Sequence, residues 1–138
     1  MGFFDRLMGS GKLELTPKSA LALACMTMMP ADGVVEDSEL NDLRRIVRGD
    51  AKAFDQALKG YKTKKIEEVV PIVAQHLNQQ QRLATIAILL DLAMGDGNLG
   101  DDERRLLQAY SESFELAEAD VTEIIDVIAV KNNFSIFE

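Results

Sequence analysis

Apolar residues recur along this chain at helical spacing, in successive segments separated by turn and capping residues. Thr16-Pro17 predicts a helix start, with Thr as the N-cap and Pro at the first helical position, where its missing N–H is not needed. Lys18 to Met29 is apolar on nearly every face (Leu21, Leu23, Cys25, Met26, Met28, Met29), which predicts a buried helix, and Pro30 is expected to end it. Leu40, Leu43, Ile46 and Val47 stripe a second helix that ends near Gly49-Asp50. Ala51, Phe54, Ala57, Leu58 and Tyr61 stripe a third, closing at Gly60. Thr63 is placed to cap a fourth, through Ile66, Val69, Val70, Val73 and Leu77, with Pro71 expected to kink or divide it.

Gln79 to Met94 mirrors the first buried helix, with Leu83, Ile86, Ala87, Leu89, Leu90 and Ala93 covering most faces. Leu106, Leu107, Tyr110 and Phe114 stripe a sixth helix, and Val121, Ile124, Ile125 and Ile128 a seventh. The pattern therefore predicts an all-α protein, a single compact bundle of about seven helices over residues 1–138. Residues 1–12, with Phe3, Phe4, Leu7 and Met8 on one helical face ahead of a Gly9-Ser10-Gly11 break, are expected to form a short amphipathic arm packed on the body, the alternative being a detachable segment that touches a membrane or partner. Residues 131–138 form a tail that brings Phe134 or Phe137 to the surface.

An Asp-Gly pair followed six residues later by a glutamate occurs twice, at Asp32-Gly33 with Glu39 and at Asp96-Gly97 with Glu103. Each copy lies between an apolar helical segment and an amphipathic one. The order of features around both copies agrees, so the chain reads as two pseudo-symmetric helix-loop-helix halves with their buried helices at the centre.

Two uses of these loops follow from chemistry. As structure, Asp-Gly makes a turn, and a glutamate in the first helical turn satisfies a free N–H and faces the positive end of the helix dipole. As a site, carboxylates and loop carbonyls are what hard cations require, so Asp32, Glu39, Asp96 and Glu103 are the candidate ligands for Ca²⁺ or Mg²⁺. Neither loop is an EF-hand. The first and third ligand places of that template fall on Met28 and Pro30, and on Leu92 and Met94. A cation must then be shared between the two loops, with Asp37, Asp101 and Asp102 close by.

The paired Asp-Gly loops with their downstream glutamates, on an all-helical chain of this length, resemble TerB-like proteins, the tellurite-resistance TerB family that also occurs as a domain in certain DnaJ-like membrane proteins. The opening Met1-Gly2-Phe3-Phe4-Asp5-Arg6-Leu7 also resembles the start of TerB proteins. This resemblance implies a seven-helix bundle, a role in tellurite resistance or a wider stress response, and no catalytic activity. It implies a protein partner, reached at the membrane surface through other proteins. It also carries Asp32, Glu39, Asp96 and Glu103 over as a metal or interaction site. Family loops place a Ser or Thr cap three residues before the glutamate, whereas Glu36 and Gly100 stand there in this chain.

Charge and composition narrow the remaining options. The net charge of −8 opposes a nucleic-acid backbone and anionic lipid, and suits cations or basic partners. The longest apolar stretches are too short for a membrane crossing, and the opening has neither a secretory h-region nor a myristoylation pattern. Cytoplasm is the expected compartment. The one cysteine, Cys25, reads as a buried small hydrophobe, and His76 as a helix-surface residue. The alternative to a binding role for the acidic loops is a pure interaction scaffold in which they only turn the chain and start helices.

Overall fold

The computed structural model describes residues 13–29, 37–94 and 99–138, with residues 37–40 described for their backbone alone. Seven α-helices appear among them: α1 (Pro17–Thr27), α2 (Asp37–Ile46), α3 (Ala51–Thr63), α4 (Ile66–Gln75), α5 (Gln79–Ala93), α6 (Asp101–Ser113) and α7 (Glu118–Lys131), followed by a short 3₁₀ turn, Phe134–Phe137. No strand occurs among the described residues. The all-α expectation holds.

Helix α1 occupies the centre, packed on α2, α3, α4 and α5. Its start is fixed by a reciprocal cap. Thr16 Oγ1 accepts the Ser19 N–H at 3.2 Å, and Ser19 Oγ accepts the Thr16 N–H at 2.7 Å. Ala20, Ala22, Leu23, Ala24, Cys25 and Met26 are all buried. Alternating alanines, Ala20, Ala22 and Ala24, keep the helix thin where its four neighbours pack on it.

The α2–α3 turn passes through two left-handed residues, Arg48 at φ 52° and Gly49 at φ 74°. Open space surrounds the Gly49 Cα, so its conformation rather than crowding calls for glycine there. Asp50 then caps α3, its Oδ1 accepting the Ala53 N–H at 3.0 Å.

Three sequence expectations need correction here. Gly60 does not close α3, which continues to Thr63. It is buried inside the helix, and a Cβ there would stand 2.9 Å from side-chain carbons of both Leu13 and Leu23. Ala53, Ala57 and Gly60 form the small-residue face that lets α3 lie close on α1. Thr63 does not cap α4. Its hydroxyl donates back to the Lys59 carbonyl at 2.7 Å, while the N-cap is Lys65, whose N–H is taken by Glu68 Oε1 at 3.2 Å. Pro71 does not divide α4. Both Pro71 and Glu67, four residues back, are exposed, so the single donor that the ring removes is missed on the water-facing side.

Helix α5 begins with a second reciprocal cap between Asn78 and Gln81, at 2.8 and 2.9 Å. It buries Thr85, Ile86, Leu89, Leu90 and Ala93, a single face rather than the all-round burial of α1. Helix α6 is joined to the centre through Tyr110, whose hydroxyl lies 2.7 Å from Thr27 Oγ1. Thr27 in turn donates to the Ala24 carbonyl, which leaves Tyr110 as the donor to Thr27. Burial holds the Tyr110 phenol above its ordinary pKa, so that donor stays protonated.

Arg82 ties three helix ends together. From the first turn of α5 its guanidinium donates to the Ala74 carbonyl at the end of α4 (2.7 Å) and to the Phe114 carbonyl at the end of α6 (3.1 Å). The cation thus meets the negative ends of two helix dipoles. Helix α7 is held differently, since it contains no buried residue. Its C-terminal end is clasped to α5 by Asp91, which receives Lys131 Nζ at 3.0 Å and Asn132 Nδ2 at 2.9 Å. Those bonds keep the Asp91 carboxyl below its ordinary pKa, the Asn132 contact contributing most. Phe134 and Phe137 of the tail are exposed.

Candidate functional site

Of the four candidate ligands, Glu103 alone has a described side chain. Asp32 and Asp96 lie outside the described residues, as does the side chain of Glu39, whose backbone belongs to α2. Whether the two loops face one another therefore lies outside the described residues as well. Among the described residues, no group of three or more His, Cys, Asp or Glu side chains is placed to hold a metal ion.

The described part of the second loop is the start of α6. Gly100 is the N-cap, and Asp101, Asp102 and Glu103 fill the first turn. Asp101 and Asp102 project into water and Glu103 is half-buried. Glu103 Oε1 lies 3.2 Å from where a Cβ on Gly100 would stand. Glycine at the cap thus leaves room for the Glu103 carboxylate to fold over the helix start, where backbone N–H groups and the dipole attract it. The degraded cap motif read in the sequence has this consequence: the cap side chain is gone, and the acid three residues on takes up its space. Asp102 reaches Arg105 at 3.9 Å, a fully exposed pair.

With this frame in place, a scan against protein-family models matches the description "Tellurite resistance protein TerB" over residues 18–125. The chain belongs to the TerB family. The match begins one residue into α1 and ends within α7, so both Asp-Gly loops fall inside it. Comparisons with curated proteins and with solved structures return no significant match.

The one thiol is remote in character. Cys25 is fully buried on the central helix, and burial pushes its pKa up to about 12. A protonated thiol without solvent access is neither a nucleophile nor a soft-metal ligand. Alkylation by iodoacetamide at pH 8 is therefore expected only in denaturant. Labelling of the folded chain at the rate of a free thiol would contradict the placement of α1. Met26 is buried and Met28 is half-buried, both packed in the core as filling side chains. His76 ends α4 with its Nδ1 2.8 Å from the Ile72 carbonyl, a local bond that occupies one ring nitrogen. No helix among the described residues is long and apolar enough to cross a membrane.

Sequence reasoning missed Arg82 entirely. A lone arginine in a helical first turn has no periodic or motif signal. Its importance comes from carbonyls 8 and 32 residues away.

Proposed function

We propose that this chain is a non-enzymatic cytoplasmic module of the tellurite-resistance and stress-response type, whose paired acidic loops take up a divalent cation or a basic partner. The observation carrying this reading is the first turn of α6, where Asp101, Asp102 and Glu103 place three carboxylates in succession with a single exposed ion pair among their described contacts. An all-oxygen donor set of that kind suits Ca²⁺ or Mg²⁺, and the lack of Cys and His donors disfavours Zn²⁺. Asp32, Glu39, Asp96 and Glu103 are the proposed ligands, with any protein partner reached at the membrane surface through other proteins.

The scaffold reading has its own support. The Glu103 carboxylate over Gly100 is what a helix-start role requires. Thermal unfolding with millimolar Ca²⁺, Mg²⁺, Mn²⁺ or Zn²⁺ separates the two. Cation binding is expected to stabilise the wild type by about 2.7 kcal/mol at a hundredfold excess over Kd, and the Asp32→Asn/Asp96→Asn variant is expected to lose that gain. A wild type indifferent to every metal would leave the scaffold reading, in which the same variant only melts lower.

A further inference from the structure

Helices α5, α6 and α7 enclose an open cleft of about 530 Å³, and its composition is divided. The floor is apolar, built from Ile86 and Leu90 of α5, Leu107 of α6, and Val121 and Ile125 of α7. The rim is polar, with Glu112 and Glu118 on either side of the α6–α7 connection and Arg104 on α6. Ile125 remains 37% exposed, and α7 buries no residue fully although it carries six isoleucine and valine residues. Among the described residues the cleft is thus unfilled apolar surface, bounded by a helix without a complete partner.

Charge indicates what would fill it. Between positions 101 and 130 stand nine acidic and two basic residues, against fourteen and thirteen in the rest of the chain. Nearly the whole net charge therefore sits on the hairpin that forms two of the three walls of the cleft. A second copy of the chain would bring a like-charged hairpin against it, and an anionic membrane would be repelled in the same way. A helix with apolar anchors on one face and lysine or arginine on its flanks satisfies both the floor and the field. The cleft volume lies in the range of ordinary binding pockets, and the three-helix geometry matches helix-in-groove recognition through residues spaced i, i+3/i+4 and i+7.

We propose that the α5–α6–α7 cleft docks a basic amphipathic helix of a partner protein. Apolar anchors fill the floor and set the register, while the acidic hairpin draws the basic flanks in and raises the encounter rate. This site does not depend on the cation reading of the Asp-Gly loops.

The test uses the full chain and a fluorescent model peptide with leucine on one helical face and lysine on the other, titrated by fluorescence polarisation. Saturable binding is expected, weakening as salt rises. Ile125→Glu, at a partly exposed floor position, is expected to lower affinity by at least about tenfold, and Glu112→Lys/Glu118→Lys on the exposed rim by a comparable factor. Val127→Glu/Val130→Glu, on the opposite side of α7, is expected to change affinity little. Circular dichroism confirms that each variant is folded. Binding that survives Ile125→Glu while falling in the rim variant would reduce the effect to charge and overturn the groove. Equal binding of a peptide with glutamate in place of lysine would overturn the assigned partner chemistry. A concentration-dependent dimer abolished by Ile125→Glu would assign the cleft to a second copy instead. Peptide binding retained in Asp32→Asn/Asp96→Asn, and a metal response retained in Ile125→Glu, keep this site and the acidic loops distinguishable.

Discussion

Phe114→Ala is expected to lower the unfolding free energy by about 3–5 kcal/mol, the range for removing a fully buried aromatic ring. The side chain is 0% exposed and stands where α6 ends, with its ring centroid 5.6 Å from that of Tyr110 in a tilted pair. Truncation empties the space between those rings and the first turn of α5, and neither neighbour is free to follow. Tyr110 is held through its hydroxyl to Thr27, and Arg82 through its two carbonyl bonds. The site therefore relaxes poorly, which places the loss high in the range. Urea unfolding should show a lower midpoint with an unchanged m-value. Phe114→Leu, which keeps most of the volume, should lose the smaller part. A Phe114→Ala variant within 1 kcal/mol of wild type, a threshold of about the size of an ordinary surface change, would contradict the packing around α6.

The second large effect is expected at Arg82. Its guanidinium makes two charge-assisted bonds to carbonyls at helix C-termini and lies 5.9 Å over the Phe114 ring. Alanine leaves both carbonyls short of a donor and removes the aliphatic stem as packing. Because the side chain is only half-buried, water recovers part of the loss, and about 2–4 kcal/mol is expected. The arginine is not perfectly satisfied, since its Nε is buried without a hydrogen-bond partner among the described residues. That cost is tolerated because turning the planar fork toward both carbonyls points Nε into the protein. Arg82→Lys tests this geometry. A lysine ammonium reaches one carbonyl as a point charge and cannot span two, so it should recover only part of the loss. A double-mutant cycle between Arg82→Ala and Phe114→Leu should give a coupling of about 0.5–3 kcal/mol, as for residues in one network. Additive losses would show that the cation over the ring contributes nothing.

Both effects bear on function through the same wall. Arg82 and Phe114 fix the end of α6 against α4 and α5, and the α6–α7 connection that follows carries Leu116 of the proposed groove between Glu112 on α6 and Glu118 on α7. The connection itself bends through Glu115, a non-glycine residue at φ 55°, with Leu116 donating to the Ser111 carbonyl at 3.2 Å. Loosening the end of α6 is thus expected to loosen the acidic hairpin as well.

Helix number, order and approximate length were legible in the sequence because helical period and capping chemistry are local. The Thr16-Pro17 start acts within three residues of itself and stands in the structure, whereas the caps at Asp50 and Asn78 come from the structure alone. The family was legible from the paired Asp-Gly loops with their spaced glutamates. The central place of α1 was legible too, because a segment apolar on every face has no side to offer to water.

What only the tertiary structure decided depends on partners far away in the chain. Gly60 read as a stop because glycine weakens helices locally, yet packing against Leu13 and Leu23 outweighs that penalty and keeps the helix running. Pro71 read as a break, yet its lost bond falls on the exposed side of α4 and α4 survives. Residues 79–94 looked as apolar as the first buried helix, and only packing revealed that α5 buries one face while α7 buries none. The reach of Arg82 to two helix ends, and the cleft that α7 leaves open beside an acidic hairpin, arise from contacts between segments. Periodicity records which face of a helix is apolar, but not whether the fold supplies enough neighbours to cover it.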